Sequence, residues 1–214
     1  MPVSLSIACL SQKGGVGKST LSRLIARTYA AAEWRVKIAD FNPKQKTSVD
    51  WVALRLEQGV TPEIAAEAFN SVKTALKQDY DLMVFDGRPD SEPTTLEIAK
   101  EADLIVLPSG VSLDDMKPQV LFAHELRARG IDAKKIMFVI NKTADSQVAI
   151  ADAHRYLSDA GYKVAKNDLP MKTGYQIAQN SGRAVSETGF PTLNERAEAL
   201  AGEIVARATE LTGE

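Results

Sequence analysis

Cysteine is almost absent. Of 214 residues only Cys9 is one, so no internal disulfide can form and no Cys/His cluster can hold zinc or an iron–sulfur centre. That fits a reducing compartment. Long apolar runs are also lacking: Leu104 to Pro108 and Ile136 to Ile140 are strand-length and too short to cross a bilayer. No basic residue precedes Lys13, so the charged front of a secretory signal is missing. Nor is there a surplus of one charge. The 26 Lys+Arg stand against 28 Asp+Glu, which excludes a protein that coats nucleic acid with its whole surface but leaves room for a local basic patch. No Pro/Gly/Ser-rich linker, repeat or low-complexity tract interrupts the chain. With 44% hydrophobic and 25% charged residues it can build a full core, and a single cytoplasmic domain over residues 1–214 is expected.

Short β-rich runs alternate with segments of helical period. Val3 to Leu10, Arg35 to Asp40, Leu82 to Asp86, Asp103 to Pro108 and Lys135 to Asn141 read as strands. Helices are expected at about 19–32, where Leu21, Leu24, Ile25 and Thr28 share a face, and at 47–58, 94–101, 113–129, 146–160, 174–181 and 193–211. Residues 61–69 fit either a strand or the start of a helix ending near Gln78; a short strand followed by a helix capped by Asn70 is the preferred reading. Fully apolar strands alternating with helices predict a doubly wound α/β fold. Its sheet is mostly parallel, covered on both faces, and binds ligands at the carboxyl ends of its strands.

The strongest local signal is Gln12-Lys13-Gly14-Gly15-Val16-Gly17-Lys18-Ser19-Thr20, between a strand and a helix. Glycines let backbone N–H groups wrap an anion, and the helix N-terminus adds partial positive charge. In a P-loop, Lys18 would contact the β- and γ-phosphates and the Ser19 hydroxyl would ligate Mg²⁺. The ordinary pattern wants glycine where Gln12 stands, and a second lysine, Lys13, follows it. A plain glycine turn with two solvated lysines is the alternative, and the strand–loop–helix context speaks against it. The run KGGVGKST resembles the deviant Walker A motif of the ParA/MinD family of P-loop ATPases. That resemblance implies ATP and Mg²⁺ as cofactors, a nucleotide cradled by Lys13 through Thr20, and a sandwich homodimer in which Lys13 reaches the phosphates of the partner's nucleotide.

Asp40 and Asp86 each end a strand at the same sheet edge as the phosphate loop. Either could be a simple turn or cap residue, but beside such a loop Mg²⁺ needs hard oxygen ligands, often through water. Asp86 fits the Walker B role with Ser19. Asp40 looks like the family's residue that positions the attacking water, a task that needs orientation more than basicity. Many ParA proteins carry Asp-x-Asp-Pro-Gln here, whereas this chain reads Asp40-Phe41-Asn42-Pro43-Lys44. Arg88 could sense the γ-phosphate or pair with Asp90 or Glu92; pairing is the preferred reading.

Asn141-Lys142 lacks the acid at position 144 that a guanine-reading Asn-Lys-x-Asp motif requires; Ala144 stands there and Asp145 is one residue late. The resemblance implies that Asn141 and the run Leu169-Pro170-Met171 contact adenine; a turn residue is the less favoured reading of Asn141. Residues 171–186 resemble a ParA segment. Across 161–186 the cations Lys163, Lys166, Lys172 and Arg183 face one carboxylate, Asp168: a candidate site for DNA phosphates, or a solvated basic face. The last helix places Leu193, Ala197, Leu200, Ala201, Ile204, Ala208 and Leu211 on one face. Its other face is acidic, which suits docking on the domain rather than anionic lipid, so no membrane partner is expected.

The first strand begins so near Met1 that the helix-turn-helix extension of larger ParA proteins is not expected. The chain most resembles small ParA partition ATPases, which implies ATP hydrolysis stimulated by a ParB-like centromere-binding partner, non-specific binding of nucleoid DNA, and segregation of plasmid or chromosomal DNA. An orphan ParA-like scaffold that positions a protein cargo or serves conjugation is the alternative, motivated by Asn42 and Lys44.

Overall fold

The computed structural model describes residues 3–43, 45–89, 93–144 and 146–213. Eight strands form one sheet: β1 (Leu5–Cys9), β2 (Val36–Asp40), β3 (Ala65–Ala68), β4 (Leu82–Asp86), β5 (Leu104–Ser109), β6 (Ile136–Thr143), β7 (Lys163–Val164) and β8 (Leu169–Pro170). Their order is β3-β2-β4-β1-β5-β6-β7, with β8 pairing β6 beyond β7, and every pairing among the described residues is parallel. The expected mostly parallel doubly wound sheet is therefore present.

Eight helices cover it: α1 (Lys18–Ala31), α2 (Thr47–Glu57), α3 (Val72–Leu76), α4 (Pro93–Glu101), α5 (Leu113–Ala128), α6 (Gln147–Asp159), α7 (Thr173–Gln179) and α8 (Pro191–Thr212). Side chains alternate across a strand. Leu5, Ile7 and Cys9 of β1 accordingly join one core with Leu24 of α1, Trp51 of α2, Tyr175 of α7 and Leu200 of α8. Ala8 and the adjoining Leu10 enter the other core with Val72 of α3, Ile98 of α4, Phe122 of α5 and Leu157 of α6. Cys9 is wholly buried, and burial pushes its thiol up to about 12, so it acts as a small core residue.

Several boundaries move. Residues 65–68 do form a short strand, but the α3 cap is Ser71, not Asn70: Ser71 accepts the Thr74 N–H at 3.4 Å. The chain at 69 is still tied to β2, Phe69 N–H donating to the Asp40 carbonyl at 2.9 Å, so the turn into the helix comes one residue later than expected. β6 runs on to Thr143, which puts Asn141 inside the strand rather than at its end. Pro170 lies in the two-residue strand β8, not in a loop. The α8 stripe docks as expected: Ala197, Leu200, Ala201, Ile204 and Ala208 are buried. Lys44, Asp90, Glu92 and Asp145, which entered the sequence reading, lie outside the described residues.

The sheet order fixes where a ligand can sit. β1 lies between β4 and β5, and successive strands run outward from it in opposite directions. The loop after β1 therefore opens at the crevice where the winding reverses, the usual ligand position in such sheets.

Candidate nucleotide site

The loop Ser11 to Gly17 joins β1 to α1 and is shaped by two glycines with positive φ, Gly15 at 75° and Gly17 at 102°. A Cβ on Gly17 would lie 1.9 Å from Asn141 Nδ2, so only glycine lets β6 support the loop this closely. Asn141 Nδ2 donates to the Val16 carbonyl at 2.9 Å, and Lys142 Nζ donates to the Gly15 carbonyl. Helix α1 begins at Lys18 with Gly17 as its cap, without a capping side chain and without an acidic residue in its first turn. Its leading N–H groups are those that an anion satisfies at a helix N-terminus.

Two adjoining cavities follow. One, of about 320 Å³, is lined by Gly14, Gly15, Gly17, Lys18, Ser19, Thr20, Asp86 and Gly87, with Asn42, Gln45 and Thr47 opposite. The other, of about 150 Å³, is lined by Asn141, Leu169, Pro170, Met171, Tyr175, Gln176 and Gln179. Thr20 and Lys142 line both. A basic, glycine-lined compartment thus adjoins a smaller one, as a phosphate chain with a base requires. The second compartment is braced from behind. Arg196 Nη2 donates to Asp168 Oδ1 at 2.6 Å, the Thr143 hydroxyl donates to Asp168 Oδ2, and the Tyr175 hydroxyl donates to the Leu193 carbonyl at 2.8 Å.

The candidate residues from sequence fall into distinct positions. Gly14, Gly15, Gly17, Lys18, Ser19, Thr20 and Asp86 line the first cavity, and Asn141, Pro170 and Met171 line the second. Val16 is 7% exposed and contributes its carbonyl rather than its side chain. Lys18 Nζ donates to the Lys13 carbonyl at 3.2 Å. Lys13 itself projects outward with its side chain 44% exposed and pairs with Asp115 in the first turn of α5. Asp115 is held for this: its Oδ2 accepts the Ser112 hydroxyl at 2.7 Å, and a Cβ on Gly110 would come within 2.3 Å of the same oxygen. The Lys13 ammonium, with help from Ser112, keeps the Asp115 pKa below its ordinary value.

Asp40 and Asp86 are register partners on β2 and β4. Asp40 is 1% exposed and lines neither cavity; its Oδ1 accepts the Asn42 N–H at 2.8 Å and its Oδ2 the Ser48 N–H at 3.0 Å. It therefore satisfies an orphan amide of the first turn of α2, a helix whose own cap, Lys46, provides no side-chain acceptor. Burial raises the pKa of Asp86, and the Asp40 charge adds to this, against the hydrogen bond from Ser48 and the hydroxyl of Ser19 nearby. Asp86 Oδ1 is buried with no hydrogen-bond partner. A cation beside Ser19 and Asp86 would supply what that oxygen lacks. One hydroxyl and one carboxylate at an anion cavity are hard oxygen donors that fit Mg²⁺ held largely through phosphate oxygens and water.

The four candidate DNA-contacting cations do not form one patch. Lys163 lies beside Glu210 near the end of α8, and Glu203 accepts the Lys166 N–H at 2.7 Å. Lys172 caps the start of α7 and Arg183 follows its end; both belong to the first turns of α8 through Tyr175 and the groove at Phe190. At 1.5 Å per residue, Glu203 and Glu210 lie roughly 15 and 25 Å along that helix from Leu193. Sequence reasoning missed Ser48 and Asp115. Ser48 donates its hydroxyl to Asp86 Oδ2 at 2.6 Å; a serine at a helix start reads only as a cap, and nothing local marks an ion pair 102 residues apart.

Two relatives match in sequence. The chromosome-partitioning ATPase Soj of Thermus thermophilus is 24% identical over 95% of this chain and 96% of its own. The maintenance of carboxysome distribution protein A of Gloeobacter kilaueensis is 33% identical over 48% of each chain. In structure, a plasmid partition protein of Borrelia burgdorferi bound to AMPPNP superposes with a TM-score of 0.73 at 15% identity, covering 95% of this chain and 99% of that one. The sequence profile of the CobQ/CobB/MinD/ParA nucleotide-binding domain matches residues 7–185, and the chain belongs to that family.

Proposed function

We propose that this protein is a ParA-type partition ATPase that binds ATP with Mg²⁺, closes into a sandwich dimer on DNA, and hydrolyses ATP when a ParB-like partner engages it. The observation that carries the reading is Lys13: a cation next to Gly14 of the phosphate cavity, its side chain 44% exposed, where a facing copy could receive it. Lys18 and the α1 amides take the β- and γ-phosphates, Ser19 and Asp86 take the metal and its water, and Asn141, Pro170 and Met171 border the adenine. Bound Mg²⁺ would neutralise phosphate charge. Asp40, the register partner of Asp86, would orient the attacking water.

In this reading the Lys13–Asp115 pair competes with the partner's phosphates for Lys13. Asp115→Asn should lower the ATP concentration needed for dimerisation by a few fold, since a solvent-exposed pair contributes about 1 kcal/mol at most. Light scattering against ATP concentration checks this, and the difference should shrink as salt rises.

The DNA step is tested by binding of the purified protein with ATP, ADP or no nucleotide at two salt concentrations. Binding that needs ATP and falls steeply with salt supports the partition reading. The second reading, a scaffold that positions a protein cargo, draws on a specific observation: Met171 (61%), Ile177 (62%) and Phe190 (55%) are large exposed hydrophobics around α7, next to Arg183. Such a surface suits a protein better than a phosphate backbone. Absence of DNA binding in every nucleotide state would favour it.

A further inference from the structure

We infer that Ser48 is a positioning residue for the metal side of this site, an assignment that rests on the nucleotide-site reading above and goes one residue beyond it. Asp40 and Asp86 end adjacent parallel strands, where neighbouring chains run about 4.8 Å apart, so two buried carboxylates stand side by side. Ser48 is fully buried between them and uses both of its donors. Its backbone N–H goes to Asp40 Oδ2 at 3.0 Å, and its hydroxyl to Asp86 Oδ2 at 2.6 Å. The Asn42 N–H takes Asp40 Oδ1 at 2.8 Å. Three of the four carboxylate oxygens are thus fixed by protein donors. The fourth, Asp86 Oδ1, is buried with no hydrogen-bond partner in a residue that lines the phosphate cavity together with Ser19.

Ser48 therefore determines which oxygen of Asp86 is left for the metal's water and holds the carboxylate from turning. The neighbouring contact repeats the arrangement: the Thr47 hydroxyl lies 3.3 Å from the Ser19 hydroxyl, so the first two residues of α2 each touch one member of the metal pair. Removing the Ser48 hydroxyl leaves its N–H, and so leaves Asp40 held, while Asp86 loses its donor. The two carboxylates respond separately to this one substitution.

The test uses a fluorescent non-hydrolysable ATP analogue, bound to the full chain in EDTA and then titrated with Mg²⁺. A hydrogen bond to a charged group contributes about 1.5–3 kcal/mol, so Ser48→Ala should raise the Mg²⁺ midpoint about tenfold or more. Binding in EDTA should stay within about twofold of the parent protein, and Ser48→Thr, which keeps the hydroxyl, should restore the parental midpoint. An unchanged midpoint in Ser48→Ala overturns the assignment. So does a Ser48→Thr protein that behaves like the alanine variant, or a loss of EDTA binding in Ser48→Ala as large as the loss with Mg²⁺, because each makes Ser48 a packing residue. If the parent protein binds no analogue with or without Mg²⁺, the nucleotide-site reading itself has failed, and the inference falls with it.

Discussion

Lys18→Ala is expected to weaken ATP binding by at least two orders of magnitude while leaving the fold intact. The side chain is 7% exposed and enters the phosphate cavity from the first residue of α1, where its ammonium donates to the Lys13 carbonyl at 3.2 Å. A carbonyl is a weak partner for a cation beside an amide-lined anion site. With a triphosphate present, the ammonium exchanges one neutral acceptor for charged oxygens. Two charge-assisted hydrogen bonds of about 1.5–3 kcal/mol each correspond to a loss of roughly 150-fold or more. In the nucleotide-free protein the carbonyl that Lys18 leaves also accepts the Ser11 hydroxyl at 3.2 Å, so the unfolding midpoint in urea should move little. Calorimetric titration with ATP and Mg²⁺ reads the first effect. Near-parental affinity would mean that the loop holds something other than a phosphate chain.

The contrast between Lys18 and Lys13 shows which parts of the site can be read from sequence. The phosphate loop is local: its glycines, its lysines and the helix they open follow one another within nine residues, and the chemistry of anion binding dictates the types. Asp40 and Asp86 are legible for a related reason, since a carboxylate closing an apolar strand is placed at the sheet edge by the strand itself. Their pairing in register is not legible, because strand order depends on the whole topology. The Lys13–Asp115 pair, the Ser48 bridge and the clamp of Asn141 on Val16 join elements that only the fold brings together. β7 and β8, two residues each, carry no period to detect. The basic segment shows the same limit: no local pattern announces that Lys163 lies beside Glu210 and the Lys166 N–H beside Glu203 of α8.

Another link of this kind should dominate stability: Glu187→Ala is expected to destabilise the fold by about 3–5 kcal/mol. The Arg55 side chain on α2 is wholly buried, and that of Glu187 is 9% exposed. The guanidinium donates twice to the carboxylate, Nη1 to Oε2 at 2.6 Å and Nη2 to Oε1 at 2.9 Å, while the Ala184 N–H adds a third bond at 2.7 Å. The backbone is fitted around the pair. Arg55 also donates to the Pro62 and Gly182 carbonyls, and Gly182, at φ 71°, has no room for a Cβ, which would lie 2.6 Å from the Arg55 N and Cα. Deleting the carboxylate strands a buried cation, whereas Arg55→Met with Glu187→Leu removes both charges and should recover most of the loss. For a chain of this size the single variant should melt roughly 6–20 °C lower. Burial alone would push the Glu187 pKa up. The bonds from Arg55 and Ala184, with Arg27 nearby, outweigh it and hold the pKa below its ordinary 4.5. The group is therefore more readily ionised in the folded chain. Its contribution is full above pH 4.5 and fades as pH falls through the lower folded value. Urea unfolding from pH 7 down to pH 3 should show the parent losing stability on that limb, and the Met/Leu double variant losing less. Because the pair ties α2, whose first turn holds Asp40 and Asp86, to the segment that carries Val185 into the second cavity, Glu187→Ala should also weaken nucleotide binding where the double variant does not.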